Sequence, residues 1–205
     1  MNTPRIVVSL GTDVHSFDRL LVWAEGLAQS LPNVAVMIQH GASRAPKPPA
    51  HGVQGTTREQ LLSWYAAADV VVTQGGPGSI LDAREAGAVP LVVPRDPELG
   101  EHVDGHQLAF VPVMEQAGHA VMVTDHDRFV RLVAERLADP SIGKTAPRVP
   151  QPEPAVEEFA RLIDDAAGQP LSLRTMLRRS RVLLPGSLKT HHSAPARPAN
   201  LEGTS

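Results

Sequence analysis

Residues 69–94 constrain this chain more than any other stretch. Val70-Val71-Val72-Thr73-Gln74 is a short, mostly β-branched run, and Gly75-Gly76-Pro77-Gly78-Ser79 follows it directly. Ile80 to Gly87 reads as a helix ended by a glycine, and Val89-Pro90-Leu91-Val92-Val93-Pro94 as a second buried strand. Strand, glycine-rich turn, helix, strand commits the segment to a layered α/β unit. The turn supplies free backbone N–H groups at a helix N-terminus, where the macrodipole favours an anion. Its glycines let the backbone approach a ligand with no Cβ in the way. Two readings fit the turn: a phosphate site, or a tight strand-to-helix connection with no ligand.

The flanking chain repeats the alternation. Ile6-Val7-Val8-Ser9-Leu10 is a continuous apolar run, as for a central parallel strand buried on both faces, and it ends in Gly11-Thr12-Asp13. Phe17, Leu20, Leu21, Ala24, Leu27, Ala28 and Leu31 recur at helical spacing, with Ser16 placed to cap the helix. Pro32-Asn33 closes it, and Val34 to Ile38 is the second strand. His51 to Gln54 reads as a short strand, and Thr57 opens a helix carrying Leu61, Leu62, Trp64, Tyr65 and Ala68. A polar loop runs from Arg95 to Gln107, and a helix begins within it and reaches about Ala117. Val121 to Val123 is a last strand, and the helix through Phe129, Leu132, Val133 and Leu137 stops at Asp139-Pro140. The expected fold is α/β: a Rossmann-like parallel sheet of about six strands with helices on both faces.

Residues 1–143 are expected to form this domain. Residues 144–168 read as a proline-rich linker with a C-terminal helix, and 169–205 as a basic, disordered tail. The formal charge of −3 hides an asymmetry: residues 1–168 hold 13 Lys/Arg against 21 Asp/Glu, and 169–205 hold 6 against 1. Leu173, Met176, Leu177 and Leu184 can share a helical face opposite arginines, so a basic helix on anionic lipid is the other reading of the tail. Aromatics at 3% argue against base-stacking platforms, and so against nucleic acid as a partner. The lack of cysteine excludes disulfide and thiolate chemistry and fits a reducing cytosol. No run approaches the length of a membrane span, and Met1 to Arg5 leads straight into a strand rather than a signal peptide.

Ligands of such sheets bind beyond the carboxyl ends of the strands, at the switch in strand order. Three polar or glycine-rich loops are expected there: Gly11-Thr12-Asp13, Gly75 to Ser79, and Pro94 to Gln107. The first strand is not followed by G-x-G-x-x-G, which speaks against NAD, and there is no P-loop motif. Asp82, one turn into the helix after Gly75–Ser79, could accept two hydrogen bonds from a ribose diol. It could equally be an acid that complements the macrodipole. His102 and His106 lie in the third loop, and either imidazole could titrate near neutral pH as an acid or base. His40 at the end of the second strand reads as a loop residue.

Residues 69–94, with Asp82, Gly87 and Pro90 in place, resemble the donor-binding signature of glycosyltransferase family 28, in the C-terminal half of MurG-like enzymes. Val8-Ser9-Leu10-Gly11-Thr12 with Phe17-Asp18-Arg19-Leu20, and Glu101-His102-Val103-Asp104-Gly105-His106-Gln107, extend the likeness. It is similar above all to the short catalytic subunits of two-component transferases that build lipid-linked saccharides, those of exopolysaccharide synthesis among them. The resemblance implies the donor-binding half of a GT-B fold and a UDP-sugar donor. It implies inverting transfer to a lipid-linked acceptor, without a metal or other cofactor. Gly11 and Thr12 would approach the diphosphate, Gly76, Gly78 and Ser79 would donate to phosphate or sugar oxygens, and Gly75 belongs to the same donor-binding set. Asp82 would hold the ribose, and His106 with Gln107 would meet the donor sugar or diphosphate. Asp13 departs from the pattern, since related subunits often carry His there, and the nearest histidine is His15.

A lone donor half implies a membrane-anchored partner subunit with the acceptor site, and a cytoplasmic place at the inner face of the membrane through that partner. The general base would lie on the partner or on His102 or His106. Two other readings remain: a non-catalytic nucleotide-sugar-binding or regulatory subunit, and a homomeric UDP-sugar epimerase or hydrolase.

Overall fold

The computed structural model describes residues 5–148. The expected helix within 144–168 and the basic tail lie outside the described residues, apart from 144–148. Six strands form one parallel sheet: β1 (Ile6–Ser9), β2 (Val36–Gln39), β3 (His51–Val53), β4 (Val70–Gln74), β5 (Leu91–Val93) and β6 (Val121–Met122). Their order is β3-β2-β1-β4-β5-β6. The chain therefore winds outward from β1 in one direction, then returns to place β4 on its other side, which is the Rossmann arrangement. The switch point lies between β1 and β4, where Ile6 is in register with Val70 and Ser9 with Thr73.

Among the described residues, five α-helices cover the sheet: α1 (Asp18–Ser30), α2 (Arg58–Ala67), α3 (Pro77–Glu85), α4 (His106–Gln116) and α5 (His126–Ala138). Strand periodicity divides the core between the two faces. Ile6, Val8, Val70 and Val72 pack with Phe17, Leu20, Leu21 and Ala24 at α1 and with Phe129 and Val133 of α5. Val7 and Val71 point the other way, to Tyr65 and Ala68 at α2 and Ala83 of α3. Side chains such as Val8, Val72 and Leu20 are wholly buried, each worth about 1.5–3 kcal/mol against exposure. This is why the central strands read as unbroken apolar runs.

Local chemistry moves three expected boundaries. Ser16 does not cap α1. Phe17 holds the cap position, and its N–H is accepted by Ser43 Oγ at 2.7 Å. The second strand starts at Val36, because the Val34 N–H turns back to the Leu31 carbonyl at 2.9 Å. Residues 144–148, expected to open a linker, are held against α3. Thr145 N–H donates to Gly87 O and Arg148 N–H to Arg84 O, both at 3.0 Å, and Lys144 Nζ reaches Ala66 O at the same distance. Gly87 sits at φ 78°, the left-handed conformation that ends α3 and turns the chain toward β5. Thr57 does cap α2, accepting from Gln60 N–H at 3.2 Å. Among the described residues, no helix is long and apolar enough to cross a membrane.

Candidate functional site

The loops after β1, β4 and β5 meet beyond the carboxyl ends of the strands, on either side of the switch point. Three glutamine side chains hold their backbones. Gln39, at the end of β2 and 4% exposed, accepts from Gly11 N–H at 3.2 Å and from Ser9 Oγ at 2.8 Å. Its Nε2 donates to Gly11 O at 3.0 Å and Gln54 O at 3.1 Å. Gly11, at φ 87°, is thereby gripped on both its N–H and its carbonyl. Gln74 accepts from Gly76 N–H and donates through Nε2 to Ser79 Oγ at 2.8 Å. Gln107, buried at the start of α4, accepts from Gly75 N–H at 2.8 Å and Arg95 N–H at 3.0 Å.

This corrects one expectation about the glycine turn. The Gly75 and Gly76 amides are not free donors; side-chain amides that reach in from the strand end and from α4 already occupy them. Ser79 N–H turns to Gly76 O at 3.1 Å. Gly78, exposed at the second position of α3, keeps the usual unpaired amide of a helix start. The Ser79 hydroxyl accepts from Gln74 and retains its own O–H to donate. Thr12 is exposed beside Gly11. Donors without a protein partner at exposed or half-buried residues are therefore those of Thr12, Gly78 and Ser79, while Gly11, Gly75, Gly76 and Gln107 set the backbone path.

Asp82 lies beyond the first turn of α3, which contains no acid, so complementing the macrodipole does not account for it. It is partly buried and paired with Arg58, at 2.9 Å from Arg58 Nε to Asp82 Oδ1. Burial pushes its carboxyl above the ordinary range, against the pull of the Arg58 charge and hydrogen bond.

The loops after β1 and β5 carry an alternating row of imidazoles and carboxylates. His15 Nδ1 lies 2.6 Å from Asp13 Oδ1, which also accepts His15 N–H at 2.8 Å. Asp13 Oδ2 is 3.4 Å from His102 Nε2. His102 Nδ1 accepts Asp104 N–H at 3.3 Å, and Asp104 Oδ1 in turn meets His106 Nδ1. The tautomers follow from these contacts. His15 and His106 each give Nδ1–H to a carboxylate and leave Nε2 as the open base, whereas His102 is engaged at both nitrogens. Burial works to raise Asp13 and Asp104, but hydrogen bonds from their histidine neighbours and nearby positive charge outweigh it and hold both below the usual carboxylate range. His40 is a loop residue, its Nδ1 donating to Ser43 O at 2.8 Å. Among the described residues, no three His, Cys, Asp or Glu side chains are grouped to hold a metal ion.

Arg95 ties the two histidine loops together. It follows β5, is 2% exposed, and spends its guanidinium on backbone carbonyls of both. Nη1 donates to Glu101 O at 2.7 Å, His15 O at 3.0 Å and Ser16 O at 3.3 Å, and Nη2 to Leu10 O at 2.8 Å. Its Cζ stands 4.7 Å from the centre of the Phe17 ring. Arg19 adds a two-pronged pair with Glu101, at 2.9 and 2.7 Å, and donates to Pro94 O. Neither Arg95 nor Gln39 stood out in the sequence as a site residue; a polar residue directly after a buried strand was the one available signal. Arg95→Met strips the hydrogen-bond donor from the carbonyls of Leu10 and Glu101 in buried bonds and of His15 and Ser16 in part-buried ones, and should destabilise the chain by about 3 kcal/mol in urea denaturation. A loss under about 1 kcal/mol would show that the loops hold without it.

The glycosyltransferase family 28 C-terminal domain matches residues 16–164 of this chain. The UDP-N-acetylglucosamine–N-acetylmuramyl-(pentapeptide) pyrophosphoryl-undecaprenol N-acetylglucosamine transferase of Burkholderia cenocepacia strain HI2424 is 29% identical over 116 residues, covering 54% of this chain and 30% of the relative. The enzyme of the same name from Burkholderia ambifaria strain MC40-6 matches to the same extent. The chain thus spans about a third of the length of these relatives. Among solved structures, the spinosyn rhamnosyltransferase SpnG is similar at TM-score 0.48 and 20% identity, over 86% of this chain and 45% of that one. The glycosyltransferase SnogD from Streptomyces nogalater gives 0.45 and 14%, over 88% and 44%. The chain belongs to glycosyltransferase family 28, as its C-terminal domain.

Proposed function

We propose that this chain is the donor-binding subunit of a glycosyltransferase that moves a sugar from a UDP-sugar to a lipid-linked saccharide, with the acceptor side supplied by a second, membrane-anchored polypeptide. The observation that carries the reading is the grouping of Thr12, Gly78 and Ser79 about the β1/β4 switch point, with Asp82 on the same helix as the last two. A diphosphate needs donors at a helix start, and a ribose diol needs a carboxylate nearby. The curated relatives support the choice of donor and acceptor, since their names describe transfer from UDP-N-acetylglucosamine to a pyrophosphoryl-undecaprenol carrier.

In the proposed reaction an acceptor hydroxyl oxygen attacks the anomeric carbon from the face opposite UDP. The bond from that carbon to the β-phosphate oxygen breaks, and its electron pair leaves with UDP. The anomeric centre inverts. The hydroxyl proton passes to a base. The N-terminal end of α3 and the Ser79 hydroxyl take up the charge that develops on the leaving diphosphate, which needs no metal. Of the three imidazoles in the row on these loops, His15 and His106 leave Nε2 open, each oriented by a carboxylate as a base should be. His102, held at both nitrogens, positions the two loops instead. The exposed apolar side chains Val14, Leu99 and Val103 stand on these same loops, at 85%, 61% and 72% exposure, and suit the face that meets the partner.

Two outcomes test this. The full chain should bind UDP in calorimetry, and Asp82→Ala should weaken that binding by about tenfold or more, roughly 1.4 kcal/mol. No binding, or an unchanged affinity in the variant, would contradict the donor site. With the partner co-expressed, His15→Gln or His106→Gln should lower the transfer rate by about a hundredfold or more while UDP affinity stays within about threefold. Full activity in both variants would place the base on the partner.

A further inference from the structure

Arg58 is in an odd place for a cation. It is the first residue of α2, where the macrodipole disfavours positive charge. It is half exposed, and a surface ion pair contributes little to stability. Yet its guanidinium reaches across to α3 and engages two carboxylates. Nε lies 2.9 Å and Nη2 2.8 Å from Asp82 Oδ1, and Nη2 lies 2.5 Å from Glu85 Oε2. Both contacts to Asp82 fall on the same oxygen. No hydrogen bond among the described residues uses Oδ2.

We propose that Arg58 is a positioning residue of the nucleotide site, fixing the Asp82 carboxylate through Oδ1 and leaving Oδ2 to accept the hydroxyls of a ribose. This rests on the reading of Asp82 as the ribose carboxylate and adds a residue that acts through it. Two N–H groups of the planar guanidinium converge on Oδ1 and fix where that oxygen sits, which a single ammonium donor does less well. Nη2 also holds Glu85, so Arg58 is held between two residues one helical turn apart.

Ionisation adds a second role. A diol donates to a carboxylate, and a protonated carboxyl accepts less well. Among the described residues, three titratable groups face Asp82: Arg58 and the buried Tyr65 from α2, and Glu85 from its own helix. Burial and Glu85 raise the Asp82 carboxyl, and Arg58 alone among them lowers it. Without Arg58 the carboxyl takes up its proton at a higher pH, so ribose binding is lost earlier on acidification.

The test is UDP affinity by calorimetry with the full chain, for the unaltered protein, Arg58→Gln and Arg58→Lys, between pH 8 and pH 5.5. The ratio of Kd values, Arg58→Gln to unaltered, cancels the titration of UDP itself. It should stay within about threefold at pH 8 and grow to about tenfold or more by pH 5.5, with Arg58→Lys between. With 2′-deoxy-UDP, which lacks the diol, the growth should disappear. A ratio that stays within about threefold over the whole range, or grows equally with 2′-deoxy-UDP, overturns the role of Arg58 while leaving the donor site standing. An unaltered protein that binds no UDP, or an Asp82→Ala variant that binds it normally, overturns the ribose reading and this inference with it.

Discussion

The site depends on one buried cation. Arg95 sits beneath the loops after β1 and β5 and gives its N–H groups to carbonyls of Leu10, His15, Ser16 and Glu101. Burying a guanidinium is costly unless its donors are met, and here backbone oxygens of two separate loops meet Nη1 and Nη2, while the buried Nε–H has no hydrogen-bond partner. Each loop therefore supplies part of what the cation needs, and neither can move off without exposing the deficit. The Glu101 carboxylate and Arg19 close the network at its edge. His15 and Asp13 on one loop, and His102, Asp104 and His106 on the other, face each other because of it.

The same economy governs the glycine turns. A glycine-rich turn is flexible, and flexible donors bind an anion at an entropic cost. Gln39, Gln74 and Gln107 remove that freedom by occupying the amides of Gly11, Gly76 and Gly75. The exchange leaves fewer donors than the turn alone would offer, but it fixes the path of the chain that carries Gly78, Ser79 and Thr12. A rigid backbone with a small number of aimed donors is the arrangement expected where charge develops and must be met without reorganisation.

The sequence made the sheet legible because β1 and β4 are buried on both faces, and their β-branched runs announce it. Glycine and proline marked the turns between elements. What it did not reveal depends on contacts across long separations in the chain. The Arg95 to Leu10 bond joins residues 85 apart, and the Gln107 to Gly75 bond joins residues 32 apart. A glutamine after a strand looks the same in sequence whether it faces solvent or grips a backbone. For that reason the turn amides read as free, and the grip of Gln107 on Gly75 cannot be seen in the sequence. The histidines of the third loop were visible, but their roles separate only once the partners of each nitrogen are known. Asp13, a departure from the family pattern, turns out to join His15 to His102. Residues 144–148 show the same limit: proline-rich composition reads as a linker, and the backbone bonds to Gly87 and Arg84 are invisible in it.

The central claim is that a nucleoside diphosphate binds across the β1/β4 switch point, on donors left open by the glutamine grips. Amide chemical-shift mapping of the isotope-labelled full chain during titration with UDP tests it directly. The account predicts that the largest changes fall at Thr12, Gly78, Ser79 and Asp82, with smaller ones at the gripped Gly11, Gly75 and Gly76. Changes gathered instead around β6 and α5, or none at millimolar UDP, would contradict it.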